Sequence, residues 1–145
     1  MTNAEIRENW KKFEPKIIQG IKDGLYSDSY EGIVRNLAQL ILGSDYSEER
    51  FLTIDWGDYQ GTCIFIFAPN TYQPSEYETY VVSNYYGSCS GCDQLLSITD
   101  YNTGSITDEN TINDLLSLVR DIYERIRPLS DLQKIPSLTT QKDNK

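Results

Sequence analysis

Apolar residues recur at helical spacing through the first third of the chain, where Ile6, Trp10, Phe13, Ile17 and Ile21 fall on one stripe. Thr2 and Glu5, three apart at the head of this run, fit a capping box in which hydroxyl and carboxylate each satisfy an orphan backbone N–H. Pro15 falls inside the stripe. It either kinks the helix or opens a second one in its first turn, because proline has no N–H to donate. Gly24 closes the run. Asp28 or Ser29 then caps a further helix with Ile33, Val34, Leu37, Leu40 and Ile41 on its apolar face, and Gly43 suits its C-terminus.

Beyond Arg50 the period changes from 3.6 to 2. Residues 51–56, 62–68 and 77–86 are rich in aromatic and β-branched side chains and are separated by turn formers, which predicts three strands in an antiparallel meander. In the second strand Cys63, Phe65 and Phe67 share one face, and Ile64 and Ile66 share the other. This reads as a central strand covered on both sides. A short helix follows over 94–98, then a turn at Asn102–Gly104. Thr107 or Asp108 caps a last amphipathic helix with Ile112, Leu115, Leu116, Val119, Ile122 and Ile126 inward, stopped by Pro128. The class is α+β: two N-terminal helices, a three-stranded antiparallel sheet, a short helix and a C-terminal amphipathic helix. Residues 1–129 read as one domain, and residues 130–145 as a polar tail.

Charge changes this picture. The 145 residues carry 13 Lys+Arg, 22 Asp+Glu and no histidine, for a net charge of −9. Phe51 to Val119 form 69 consecutive residues without a lysine or arginine, and they hold nine acids, while the other 76 residues balance at 13 of each sign. All of the net charge sits in the predicted sheet and its loops. Binding to nucleic-acid phosphates or to anionic lipid needs basic side chains, so this region suits neither. The absence of histidine excludes Ser-His-Asp and Cys-His catalysis and the imidazole pH switch. No apolar run reaches the ~18 residues of a membrane span, and the polar N-terminus is unlike a secretory leader. With three cysteines the chain implies no disulfide framework, and a reducing, cytoplasmic compartment is expected.

Three groups of residues carry candidate chemistry. Cys89-Ser-Gly-Cys92 at the start of a helix is a CxxC, where a helix N-terminus lowers a thiol pKa. As a redox pair it lacks the upstream βαβ context. As a zinc site it supplies two thiolates and Cys63 a third; with no histidine the fourth ligand is Asp93, a water or thiolates of a second chain, and a two-fold dimer sharing two CxxC pairs completes the set. The alternative is packing, with compact residues filling a tight strand-to-helix corner and Asp93 capping the next helix. The acids Asp55, Asp58, Glu76 and Glu78 invite comparison with paired catalytic carboxylates. They match no metal-loop or nuclease spacing, and solvated strand-edge charge is the favoured reading. Tyrosine is the third excess: seven of the 11 lie in the cation-free stretch. An acidic surface bearing Tyr59, Tyr85 and Tyr86 suits a basic partner rich in arginine, which carboxylates clamp and aromatic rings stack upon.

Asp58-Tyr59-Gln60-Gly61, followed by Tyr86-Gly87-Ser88-Cys89-Ser90-Gly91-Cys92-Asp93, resembles a set of small proteins of bacteriophages and other mobile elements that pair a DYQG turn with a YGSCSGCD segment. The resemblance implies a phage accessory protein. By analogy with anti-CRISPR and anti-restriction proteins, the expected function is non-enzymatic: an acidic inhibitor that occludes the basic channel of a host nucleic-acid enzyme such as a Cas nuclease. The expected contacts are Asp55, Asp58, Tyr59, Glu76, Glu78, Tyr85, Tyr86 and Asp93, in a monomer or homodimer that needs no cofactor. The alternative is a CxxC-dependent redox protein or a zinc-bridged dimer.

Overall fold

A computed structural model of the chain describes residues 2–57, 60–88, 93–99 and 106–132. Three helices come first: α1 (Asn3–Glu8), α2 (Trp10–Lys22) and α3 (Tyr30–Leu42). Thr2 caps α1 by accepting from the Glu5 N–H at 3.2 Å, and Ser29 caps α3 by accepting from the Gly32 N–H at 2.9 Å. The break expected at Pro15 falls instead at Asn9, six residues earlier, between α1 and α2. Pro15 stays inside α2 on its exposed side, where water can hydrate the carbonyl that its missing N–H leaves free. Gly24 follows α2 with φ +82°, a backbone state that glycine adopts without strain.

Two 3-10 turns lead into the sheet, which consists of β1 (Phe51–Gly57), β2 (Gly61–Phe67), β3 (Tyr80–Tyr86) and a fourth strand, β4 (Arg127–Pro128), in the order β1-β2-β3-β4. All neighbours are antiparallel. The sequence predicted three strands. β4 has only two residues, too few to show a period, and Pro128 is admitted because β4 is an edge strand needing no donor on its outer side. Residues 77–79, expected in the third strand, instead close a turn in which the Glu78 N–H and the Thr79 hydroxyl both bond the Ser75 carbonyl, at 3.1 and 2.9 Å. The β1–β2 hairpin narrows at the paired glycines Gly57 and Gly61. A Cβ on Gly61 would collide with the Trp56 carbonyl oxygen, and one on Gly57 with that of Gln60.

The helices pack on one face of the sheet. Phe65, Phe67, Tyr80 and Val82 from that face meet Ile33, Val34 and Leu37 of α3 and the buried stripe of α5 (Glu109–Arg125). That stripe is Leu115, Leu118, Val119, Ile122 and Tyr123, continued by Ile126; Leu116 and Ile112, predicted inward, are only half-buried. The expectation that both sheet faces are covered is overturned. Leu52, Trp56 and Tyr85 on the opposite face are 54%, 67% and 53% exposed.

The first helix and the last described elements are tied into the fold by hydrogen bonds distant in sequence. Tyr123, fully buried, packs its ring 5.3 Å from Trp10 and 6.3 Å from Phe13, and its hydroxyl donates to the Ile6 carbonyl. A final helical turn, α6 (Leu129–Leu132), is joined to the turn before β3 by Leu129 N–H to the Thr79 carbonyl (2.6 Å) and Ser130 N–H to the Glu76 carbonyl (3.1 Å). Packed structure thus runs past Leu129, with Ser130 buried. Replacing Tyr123 with phenylalanine keeps the rings and removes one buried hydrogen bond, so Tyr123→Phe is expected to lose about 1–2 kcal/mol in denaturant unfolding with an unchanged m-value.

Candidate functional site

The N-terminus of α3 meets the hairpin end of the sheet and the start of α4 (Gln94–Thr99). Tyr30, the first residue of α3, is buried there, and its hydroxyl donates to Asp93 Oδ1 at 2.9 Å while accepting from the Leu95 N–H at 2.9 Å. Asp93 is 6% exposed. Its Oδ1 also accepts from the Leu96 N–H at 3.0 Å, the capping bond expected of an Asp before a helix, and its Oδ2 accepts from the Gly87 N–H at 2.8 Å. One carboxylate therefore joins the end of β3, the start of α4 and the start of α3. Burial pushes the Tyr30 phenol from 10.0 up to about 12, a rise that the Leu95 N–H bond opposes and Asp93 reinforces.

Beside this node lies a cleft of about 380 Å³. Asp28, Glu31 and Asp55 line it together with Thr53, Cys63, Tyr86 and the buried Phe65, and no lysine or arginine lines it among the described residues. The geometry follows from the sheet register. Gly61 stands between Tyr86 and Gly57 and has no side chain, so the Tyr86 ring reaches across β2 and donates to Asp55 Oδ1 at 2.6 Å. Thr53 donates to Glu31 Oε1 at 2.5 Å, linking β1 to α3. Glu31 also lies 3.6 Å from the Arg35 guanidinium, which pairs with Glu48 and sits 4.4 Å over the Phe51 ring. The Cys63 thiol is pushed up by burial and then by the negative charges of Asp55 and Glu31, so it stays protonated at neutral pH. A protonated thiol is a poor nucleophile and a poor metal ligand. The cleft offers anionic acceptors beside aromatic faces, which is the chemistry that holds an organic cation.

The structure brings together some of the sequence-predicted residues and separates others. Asp55, Tyr86, Asp93 and Cys63 share the cleft. Tyr85 points to the opposite sheet face, where its hydroxyl lies 3.4 Å from Gln60 Oε1. Glu76 and Glu78 occupy the turn before β3, at the far end of strands about 20 Å long. Asp58, Tyr59, Cys89 and Cys92 lie outside the described residues, and with them the CxxC proposals. Among the described residues no group of three or more metal-ligating side chains assembles, and no helix is long and apolar enough to cross a membrane. Sequence reading missed Tyr30, Asp28, Glu31 and Thr53. Asp28 signalled only a helix cap, and nothing local announced that α3 would lie against β1. The cations absent from 51–119 arrive from elsewhere in the chain: Arg35 over Phe51, and Arg125, which donates to the Ser83 carbonyl and to Asn84 Oδ1.

Removing the Asp93 carboxylate strands three buried donors, so Asp93→Ala is expected to cost about 3 kcal/mol or more in denaturant unfolding, against about 1–2 kcal/mol for Tyr30→Phe. Alkali supplies a second measurement. Tyr26 and Tyr30 are both pushed by burial from 10.0 up to about 12, so the folded state keeps these phenol protons longer than the unfolded chain does. Their stabilisation is complete below pH 10 and is lost as pH rises from 10 to about 12. Helical circular dichroism should fall cooperatively in that window as tyrosinate absorbance rises, and Tyr30→Phe should flatten the pH dependence of stability there.

No known protein family, curated protein or solved structure matches this chain.

Proposed function

We propose that this protein is a non-enzymatic binding protein whose acidic cleft receives a basic side chain, arginine above all, from the surface of a partner protein. The observation that carries this reading is the grouping of Asp28, Glu31 and Asp55 beside the half-buried Tyr86 in one cleft that, among the described residues, no lysine or arginine lines. A guanidinium suits such a site because its planar face stacks on aromatic rings while its edge donates to carboxylates in pairs. Tyr86 and Thr53 hold two of the carboxylates in place through bonds of 2.6 and 2.5 Å, which lowers the ordering entropy lost when a partner docks.

The net charge of −9 supports the same reading at longer range, since it steers a basic surface toward the molecule and raises the association rate. Basic channels that bind nucleic acid are the partner surfaces richest in arginine. An inhibitor that occludes the channel of a host enzyme, a Cas nuclease for example, therefore fits both the cleft and the resemblance to phage and mobile-element proteins. Glu76 and Glu78 lie at the opposite end of the sheet, so such a partner engages either the cleft end or a long footprint.

An arginine-rich peptide is the direct probe. It is expected to shift the NMR resonances of Phe65, Tyr86 and Thr53, and a lysine-rich peptide of equal charge should bind more weakly. Asp28→Lys and Asp55→Lys should each weaken binding about tenfold, equal to ~1.4 kcal/mol, mainly through a slower association rate that added salt also depresses. Binding unchanged by both reversals and by salt would remove the cleft from the function.

A further inference from the structure

We infer that the open face of the sheet is a self-association surface that takes the same face of a second copy of this chain. The register sets three rows across it: Trp56, Thr62 and Tyr85 nearest the hairpin, then Ile54, Ile64 and Ser83, then Leu52, Ile66 and Val81. Arg127 on β4 adjoins the last row, and its guanidinium turns back to bond the carbonyls of Glu124 and Ile126. Among the described residues the three rows contain no carboxylate and no cation. Seven of their nine positions are apolar or aromatic, and Leu52, Trp56 and Tyr85 are more than half exposed. A half-solvated antiparallel sheet ordinarily alternates apolar-in with polar-out. Here both sets are apolar.

Charge selects the occupant. A basic partner gains nothing from a face without acids, and the acids that could serve it lie at the cleft and in the turn before β3. Two copies of a chain with net charge −9 repel over most of their surfaces, and a neutral apolar face is where that repulsion is smallest and the area removed from water is greatest. Flat sheet faces pack on one another about 10 Å apart with strands crossing near −30°, and a two-fold axis between them makes the contact self-complementary. Ile64, in the middle of the middle row, then meets its own copy. The three rows span about 17 Å by 15 Å, so two copies bury well under about 1,000 Å² together, below the range of stable interfaces and in keeping with a weak, reversible dimer. The cleft lies on the other side of the sheet, so a dimer presents two clefts facing outward.

Sedimentation velocity of the full chain from low-micromolar to near-millimolar concentration tests this. The mass should climb from 16.7 kDa toward twice that value, and added sodium chloride should strengthen association by screening the like charges, whereas it weakens any acid-to-base contact. Ile64→Glu and Trp56→Glu should each raise the dimer dissociation constant at least about tenfold. Trp56→Glu replaces a mostly exposed side chain, so it keeps the test sound if Ile64→Glu misfolds. Acrylamide should quench Trp56 readily in dilute protein and less so as the dimer forms. A monomer at every concentration and salt, or a dimer indifferent to Trp56→Glu, would overturn the inference. So would a Trp56 already shielded in the monomer, which means the chain covers its own face. Dimerisation that newly protects the outward β1 amides from hydrogen exchange would show edge-to-edge pairing and also overturn it.

Discussion

Asp93 keeps its carboxylate almost out of water, and the Tyr30 hydroxyl, the Gly87 N–H and the Leu96 N–H stand where water would have been. A buried carboxylate is costly unless its lone pairs are filled, and that constraint fixes the relative positions of three elements at once. The Tyr30 ring belongs to α3, so satisfying Asp93 draws the start of that helix against the hairpin end of the sheet. Thr53 can then reach Glu31 and the cleft walls come together. The Leu95 N–H, donated to the same Tyr30 oxygen, passes the constraint on to α4. The cleft is a by-product of this arrangement: its acids sit on elements that meet because Asp93 had to be bonded.

The sheet separates two kinds of surface. Its inner side ends, toward the hairpin, in carboxylates and phenols that suit a charged and specific contact. Its outer side is neutral and apolar, suited to contact driven by area. Backbone pairing makes the division strict, because side chains alternate sides and a one-residue slip would exchange them. The paired glycines at the hairpin guard the register from one end, since any side chain at Gly57 or Gly61 would force the strands apart there.

Much of this was legible in the sequence where the signal is local. Thr2, the Asp28/Ser29 pair and the Thr107/Asp108 pair announced helix starts because capping depends only on residues three positions on; Thr2, Ser29 and Asp108 each accept from the backbone N–H there, while the Glu5 carboxylate takes the Thr2 hydroxyl instead of an N–H. The three long strands showed through their period, and α5 through its stripe. The errors arose where tertiary contact decides. Pro15 drew attention as a breaker, yet the interruption falls at Asn9, between α1 and α2, and Pro15 stays inside α2. β4 is an edge strand only because β3 lies beside it. The alternation of Phe65 and Phe67 with Ile64 and Ile66 says that both faces are apolar, not that both are covered. Of the predicted contacts, Asp55, Tyr86 and Asp93 share the cleft: Tyr86 and Asp93 belong to one short motif, and Asp55 lies two strands away on β1 within reach of the Tyr86 hydroxyl. Asp28 and Glu31 went unnoticed, since helix residues carry no mark of the strand they will face.

The bonds that join α6 to the turn before β3, and Tyr123 to α1, have a consequence for biosynthesis. The groups involved are far apart in sequence, Ile6 from Tyr123 and Glu76 from Ser130, and α5 supplies a large share of the core. A chain emerging from the ribosome can assemble its first helices and the β1–β3 meander. It cannot bury the sheet's inner aromatic residues or close the β3 edge until α5 and β4 have been released. Through that interval the nascent molecule exposes apolar residues on both sides of the sheet, and the acids scattered through residues 51–119, balanced by no lysine or arginine in that stretch, give neighbouring nascent chains a like charge that opposes their association.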